Sequence, residues 1–338
     1  MTLALSVLDL VPLGVGGTSV DALRDAGTLA RAVDGLGYTR LWYAEHHNMP
    51  GIATTTPEIL IAHVGPMTSR VRLGAGGVML PNHSALKVAE SYKLLEALHP
   101  GRIDLGIGRA PGTDGVTALA LRRARQSLGA NDFLDQLDEL VAWGGGAFPP
   151  GHPFGAVRAM PDDRRLPELY LLGSSDYGAR VAAERGLGFA FAGHFSQDPP
   201  QLALRLYREG FTRGALDKPH AILALSVFCA DTTAAAQRMA SSMRLSFAQL
   251  RTGRPGRLPS PEQAMAHVLT PDERAVSELY AHLMIVGTPA EVRARIEAVV
   301  AETGADEIML VTHAYEIAAR VRSYELVAQA FGLRKVDQ

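Results

Sequence analysis

Glu45, His46 and His47 stand side by side in "RLWYAEHHNMPGIATTTPE" (40–58), where a short apolar run ends. A carboxylate beside two imidazoles can move protons near neutral pH or contribute to a metal site. The spacing speaks against the metal. Neighbours on a strand point to opposite faces, so His46 and His47 cannot both aim at one ion unless the chain leaves strand geometry there. Taken alone, the stretch reads equally well as a hydrogen-bonded loop start. Other polar residues occupy the same kind of place, just after an apolar run: Gly76, Gly77, Asn82 and His83; Gly106, Gly108 and Arg109; Ser174 and Ser175; His194; His313. Polar groups converging on one rim are the expected form of an active site.

Two glycine-containing stretches suggest anion chemistry. "GIGRAPG" (106–112) carries a Gly-x-Gly, but its third glycine is one place late for a dinucleotide fingerprint. Turn formers follow where a helix should begin, and no second strand ends in an acid about 20 residues on. In "LLGSSDYGARVAAERG" (171–186) an apolar run ends in Gly-Ser-Ser and a helix begins at once, presenting unpaired amides and two hydroxyls. Arg109, one strand away, can add a planar guanidinium, and together these residues read as a phosphate site.

The elements that must position these residues alternate. Apolar runs at 3–9, 40–45, 71–80, 101–109, 168–173, 188–193, 221–230 and 307–313 predict eight strands. Between them lie helical patterns. One starts at Ser19, spaces Val20, Leu23, Ala26, Ala30 and Val33 along a face, and ends at Gly37. The next opens with a Thr55/Glu58 capping box and Pro57. A third is capped by Ser84, with Ala85, Val88, Ala89, Tyr92 and Leu95 sharing a face, and a late one opens at Thr288, Pro289 and Glu291. Residues 113–143 read as helical, and the breaker-rich 144–167 as an excursion over the mouth of the fold. Eight strands separated by helices imply parallel pairing, right-handed crossovers and closure into a (β/α)8 TIM barrel. A single domain over residues 1–338 is expected, with insertions at about 110–167 and 231–285 in the loops at the strands' C-terminal ends, where such barrels carry their chemistry.

The bulk numbers narrow the partners. The 338 residues are 47% hydrophobic and 20% charged with a net charge of −2, a composition for a large core and no basic field for nucleic acid or an anionic membrane. Cys229 is the single cysteine, which excludes an intrachain disulfide and a cysteine metal cluster. No signal peptide and no run of about 18 apolar residues is found, so the cytoplasm is the expected location and a small molecule the expected partner.

"LWYAEHHN", "RLGAGGVMLPNHSALKVAESYKLLEALHPGRIDLGIGRAPG" and "LLGSSDYGARVAAERGLG" resemble the bacterial luciferase-like flavin monooxygenase family in order and spacing, over most of residues 3–195. The resemblance implies a barrel that binds reduced FMN, or in some branches the deazaflavin F420, at the C-terminal ends of the strands. It implies the family's acid and histidine at Glu45 and His46, and a cis peptide beside the flavin between Gly76 and Gly77. It also implies the phosphate arginine at Arg109 and the phosphate hydroxyl at Ser175, with Ser174 and Gly178 as neighbours. Luminous members carry a cysteine where this chain has Gly108, so light emission is not implied.

The reading is an FMNH2- and O2-dependent monooxygenase of a small organic substrate. His46 is expected to act as general acid or base and Glu45 to orient it, while the loops at 144–167 and 231–285 are expected to cover the cleft. With no nicotinamide fingerprint, a separate flavin reductase is expected to supply reduced FMN. An F420-dependent dehydrogenase and a non-catalytic flavin-binding protein are the alternatives, and a homodimer is left open.

Overall fold

The computed structural model describes residues 3–122 and 132–334, so the part of the expected 113–143 helical stretch at 123–131 lies outside the described residues. Nine strands occur in it: β1 Ala4–Asp9, β2 Arg40–Tyr43, β3 Arg72–Met79, β4 Ile103–Gly108, β5 Glu168–Gly173, β6 Gly188–Phe191, β7 Ala221–Cys229, β8 Met284–Gly287 and β9 Glu307–Val311. All pair in parallel, and eight close into a barrel that runs from β1 through β7 to β9 and back to β1. Helices separate the strands, so the expected (β/α)8 architecture is present.

The ninth strand was not anticipated. β8 lies at the end of the 231–285 insertion and pairs with the outer half of β7, Ser226–Cys229, while Ile222–Ser226 pair with β9 inside the ring. Four residues with an alternating, half-buried pattern are too short a signal to separate from the helical segments around them. Three strands stop two residues sooner than their apolar runs, β2 at Tyr43, β6 at Phe191 and β9 at Val311. The residues released are the ones that form the rim.

Helix boundaries follow local chemistry. Helix Ser19–Leu36 is capped by a Thr18/Asp21 box and ends at Gly37 in the left-handed region (φ 83°). Its buried stripe is Ala22, Ala26, Leu29, Ala30 and Val33, whereas the expected Val20 and Leu23 are exposed. The Thr55/Glu58 capping box does not form. Pro57 is itself the first residue of helix Pro57–Val64, which makes Thr56 the cap and moves Glu58 out of register. Ser84 is the cap of helix Ala85–Leu98 but makes no side-chain bond, and the Thr288/Glu291 box before helix Pro289–Thr303 is present. Among the described residues no helix is long and apolar enough to cross a membrane.

Strand parity sorts the core into two. Leu8, Trp42, Tyr170, Ala190, Ile222, Ala224 and Met309 pack together inside the barrel, and their neighbours Val7, Leu41, Leu171, Phe189, Leu223 and Leu310 belong to the larger core facing the helices.

Below the apolar interior a buried ionic network closes the barrel. Arg40 Nε donates to Glu307 Oε2 at 3.1 Å and its Nη1 to Asp104 Oδ2 at 2.8 Å, and Trp42 Nε1 donates to the same Asp104 oxygen at 2.9 Å. Arg72 Nε holds the other Asp104 oxygen at 2.8 Å, and Ser6 Oγ donates to Glu307. Burial works against each charge, yet Asp104 and Glu307 outweigh it for Arg40, whose guanidinium is held firmly protonated. Removing one partner of such a group leaves an uncompensated buried charge, which costs about 3–5 kcal/mol. Asp104→Ala is therefore expected to lower unfolding stability in urea by about that amount. A loss under about 1 kcal/mol would mean that water reaches and pays for these charges.

Candidate active site at the C-terminal rim of the barrel

A cavity of about 260 Å³ opens at the C-terminal ends of the strands. Its two ends differ in chemistry.

At one end β4 delivers Arg109 and β5 delivers Ser174 and Ser175. The Arg109 guanidinium sits 4.2 Å above the ring of Tyr177, a contact that fixes its plane while leaving the residue exposed. Ser175 is the N-cap of helix Asp176–Glu184 but makes no side-chain cap bond, so its hydroxyl and the first-turn amides are uncommitted among the described residues. Ser196 Oγ donates to the Ser174 carbonyl at 3.0 Å and steadies this turn. Gly178 is buried one turn into the helix, where an added Cβ would lie 3.5 Å from the Cα of Gly173, so the helix start sits close on the strand end. An arginine, a free hydroxyl and an open helix N-terminus form a ready anion site. Tyr177 escaped the sequence reading, since an aromatic in a first helical turn carries no motif of its own.

Between the ends the Gly76–Gly77 bond is cis, as the resemblance implied, and Gly76 lines the cavity. A Cβ on Gly76 would fall 2.8 Å from Leu8 Cδ1, and one on Gly77 would fall 2.8 Å from the Gly106 carbonyl oxygen. The backbone itself is therefore the wall here. Gly106 and Gly108 serve similar close approach within β4, which accounts for the Gly-x-Gly without a dinucleotide.

At the other end the acid and the imidazoles divide differently from expectation. Because β2 ends at Tyr43, parity no longer separates Glu45 from His46. Glu45 is buried and engaged away from His46. Its Oε1 accepts from His47 Nε2 and His83 Nε2, both at 2.9 Å, and its Oε2 accepts the Met79 amide at 3.0 Å. Burial alone would raise the Glu45 carboxyl, but His83, the Met79 amide and His47 together hold it below the usual carboxylate range, and Glu45 in turn raises His83. The expectation that Glu45 orients His46 is corrected: Glu45 ties the β2 rim to the end of β3. His46 instead meets the Gly112 carbonyl through Nδ1 at 3.3 Å. That oxygen can only accept, so Nδ1 carries the hydrogen and Nε2 keeps the lone pair. Burial outweighs this bond, which alone would raise the pKa of His46, and holds it below the ordinary histidine value.

His194 and His313, released by β6 and β9, complete this end. Both have an Nδ1 with no hydrogen-bond partner among the described residues, and burial pushes each down to about 3, helped by His46 at His194 and by Arg320 and then His46 at His313. His194 lines the cavity beside His46, whereas His313 does not reach it. Among the described residues no group of three or more His, Cys, Asp or Glu side chains is arranged to hold a metal ion.

Segments 144–167 and 231–285 do not line the cavity, contrary to expectation, whereas Ala110, Gly112 and Phe133 of the first insertion do. Segment 144–167 packs on the outside: Trp143 meets Phe148 edge-on at 5.2 Å and stacks with Phe154 at 5.6 Å, and Lys93 on helix Ala85–Leu98 donates to the Ala159 carbonyl at 2.9 Å. The 231–285 insertion clamps the loop after β1, with Leu258 bonding to Leu13 and Val15 at 3.0 and 2.9 Å. A short run of breakers signals a loop but not the surface that it covers.

The sequence model of the luciferase-like monooxygenases matches residues 3–307. The protein YvbT of Bacillus subtilis (strain 168) is 44% identical over 97% of this chain and 96% of its own. A luciferase-like monooxygenase of Escherichia coli (strain K12) is 42% identical over 96% of each chain. The crystal structure of apo-MsnO8 superposes with a TM-score of 0.90 at 36% identity over 99% of both chains. The chain therefore belongs to the luciferase-like monooxygenase family.

Proposed function

We propose that the protein is a monooxygenase that uses reduced FMN and O2 on a small organic substrate, and that a separate flavin reductase supplies the reduced FMN. The observation that carries this reading is the uncommitted anion site at one end of an otherwise apolar cavity: Arg109 levelled on Tyr177 beside the free hydroxyl and open helix terminus at Ser175. Arg109, Ser174, Ser175 and the first-turn amides near Gly178 would hold the phosphate, and the backbone at Gly76 and Gly77 would leave room for the ring system. Bound there, reduced FMN would supply the activation of O2. The chain's own part is to orient, to exclude water and to manage a proton. His46 is suited to the last of these in one direction. It is neutral at pH 7 with its lone pair on Nε2, and so serves as a base before it can serve as an acid. Glu45 contributes by fixing the loops at the ends of β2 and β3 through His47, His83 and the Met79 amide.

Anaerobic titration with reduced flavins tests the phosphate site. Charge-assisted hydrogen bonds are worth about 1.5–3 kcal/mol each, so FMN is expected to bind at least about tenfold more tightly than riboflavin. Arg109→Ala is expected to remove most of that preference without weakening riboflavin, and Arg109→Lys to restore it in part. Equal affinity for the two flavins would remove the reading, and a preference for F420 over FMN would move the protein to deazaflavin chemistry.

His46→Ala is expected to retain FMN affinity within about twofold and to lose about a hundredfold or more in monooxygenase turnover with photoreduced FMN. The competent form is the neutral imidazole, and burial lowers its pKa, so wild-type turnover should hold through pH 6.5, the ordinary histidine value, and fall only at lower pH. Turnover that matches wild type in His46→Ala would leave His46 as a loop contact only.

A further inference from the structure

We propose that the substrate of this cavity is an uncharged, largely apolar small molecule whose body rests on a floor formed by Ala190, Ala224 and Met309 and whose one hydrogen-bonding atom meets His194, which makes Ala190, Ala224 and His194 the residues that set specificity. The inference rests on the monooxygenase reading of the same cavity and adds the substrate class.

The charge inventory is the first support. Among the described residues that line the cavity, Arg109 is the only permanently charged one, and it stands at the Ser175 end. The other titratable rings facing the opposite end are His46 and His194, both neutral at pH 7. A carboxylate or ammonium carried to the floor would lose its water and meet no counter-charge, a desolvation that a protein does not bear without compensation.

The shape of the floor is the second. Inward positions of neighbouring strands normally fill a barrel with large side chains, as Leu8, Trp42, Tyr170 and Ile222 do here. The inward residues that line the cavity on β6 and β7 are Ala190 and Ala224, and Gly76 and Gly108 replace side chains on β3 and β4. The hollow thus comes from side-chain size in the barrel wall. Its base does not give way, because Trp42 is held by Asp104 at 2.9 Å and packed edge-on against Tyr170 at 5.2 Å between centroids.

His194 supplies the third. The ring stands edge-on to Phe195 at 4.8 Å and lines the cavity, while its Nδ1 is buried without a partner among the described residues. No internal contact therefore fixes its tautomer, and the ring can donate to or accept from a bound molecule.

Calorimetric titration of the FMN-loaded protein with 1-alkanols from pentanol to nonanol, and with alkanoates of equal length, tests the inference. Each methylene should tighten an alcohol about fourfold until the floor is reached, and each alkanoate should bind at least about tenfold more weakly than its alcohol. Ala224→Leu should shorten the chain length at which the gain stops while FMN affinity stays within about twofold. His194→Leu should weaken every alcohol about twofold to tenfold without altering the gain per methylene. Alkanoates that bind as well as alcohols, or an unchanged length limit in a folded Ala224→Leu that still binds FMN, would overturn the proposal. Should Ala224→Leu not fold, the wild-type comparison of alcohols with alkanoates decides alone. Failure of FMN to bind, with alcohol selectivity intact when the titration is repeated on the flavin-free protein, would count against the cofactor reading only.

Discussion

The Arg40 guanidinium, bridging Asp104 on β4 and Glu307 on β9, is the contact around which the barrel closes. It spans three strands at the end opposite the cavity. Arg72, Ser6 and Trp42 satisfy the remaining oxygens, so the charges are paired and hydrogen-bonded as burial demands. With closure secured there, the upper layers are relieved of filling the barrel. Alanine at 190 and 224 and glycine at 76 and 108 leave room that leucine or valine would occupy. The ionic base and the hollow top are two consequences of one arrangement, and Trp42, bonded below and lining the cavity above, connects them.

A similar economy governs the rim. Glu45 is a buried carboxylate there, and it is spent on structure, drawing in two imidazoles and a backbone amide from the ends of β2 and β3. Held ionised, it anchors the loop that carries His46 without touching His46 itself. The histidines nearest the cavity are accordingly left in apolar surroundings with no acid bonded to them, and they stay neutral. A catalytic base and a hydrogen-bonding ring gain from that state, because neither binds a proton in advance of its task.

Much of this was legible in the residues. Short apolar runs located the eight barrel strands, and a Gly-Ser-Ser before a helix with an arginine one strand away marked the end of the cavity that carries Arg109 and Ser175. What escaped depended on contacts between distant positions. The Glu45 and His83 pair is 38 residues apart, and nothing in "EHHN" indicates that the carboxylate turns toward β3. β8 was missed because four residues paired to one outer half-strand leave no periodic signature. The breaker-rich 144–167 was rightly a loop, but its destination was set by Trp143 and Lys93, whose side chains gave it a surface away from the mouth.

The placement of segments 144–167 and 231–285 away from the cavity changes where selectivity has to reside. In barrels whose loops fold over the mouth, substrate preference can vary by loop exchange while the wall stays constant. In this chain the 231–285 insertion is committed to the loop after β1 and segment 144–167 to an outer helix, so neither meets a bound molecule at the floor. The contacts at the floor are strand residues whose positions are fixed by ladder hydrogen bonds on both sides, as Ala190 is between β5 and β7, with Phe133 and His194 lining the cavity from outside the strands. Sites built on strands hold their geometry more closely than sites built on loops, because packing already limits how far their side chains can move. A cavity of this construction distinguishes substrates by size at its base and by charge along its length.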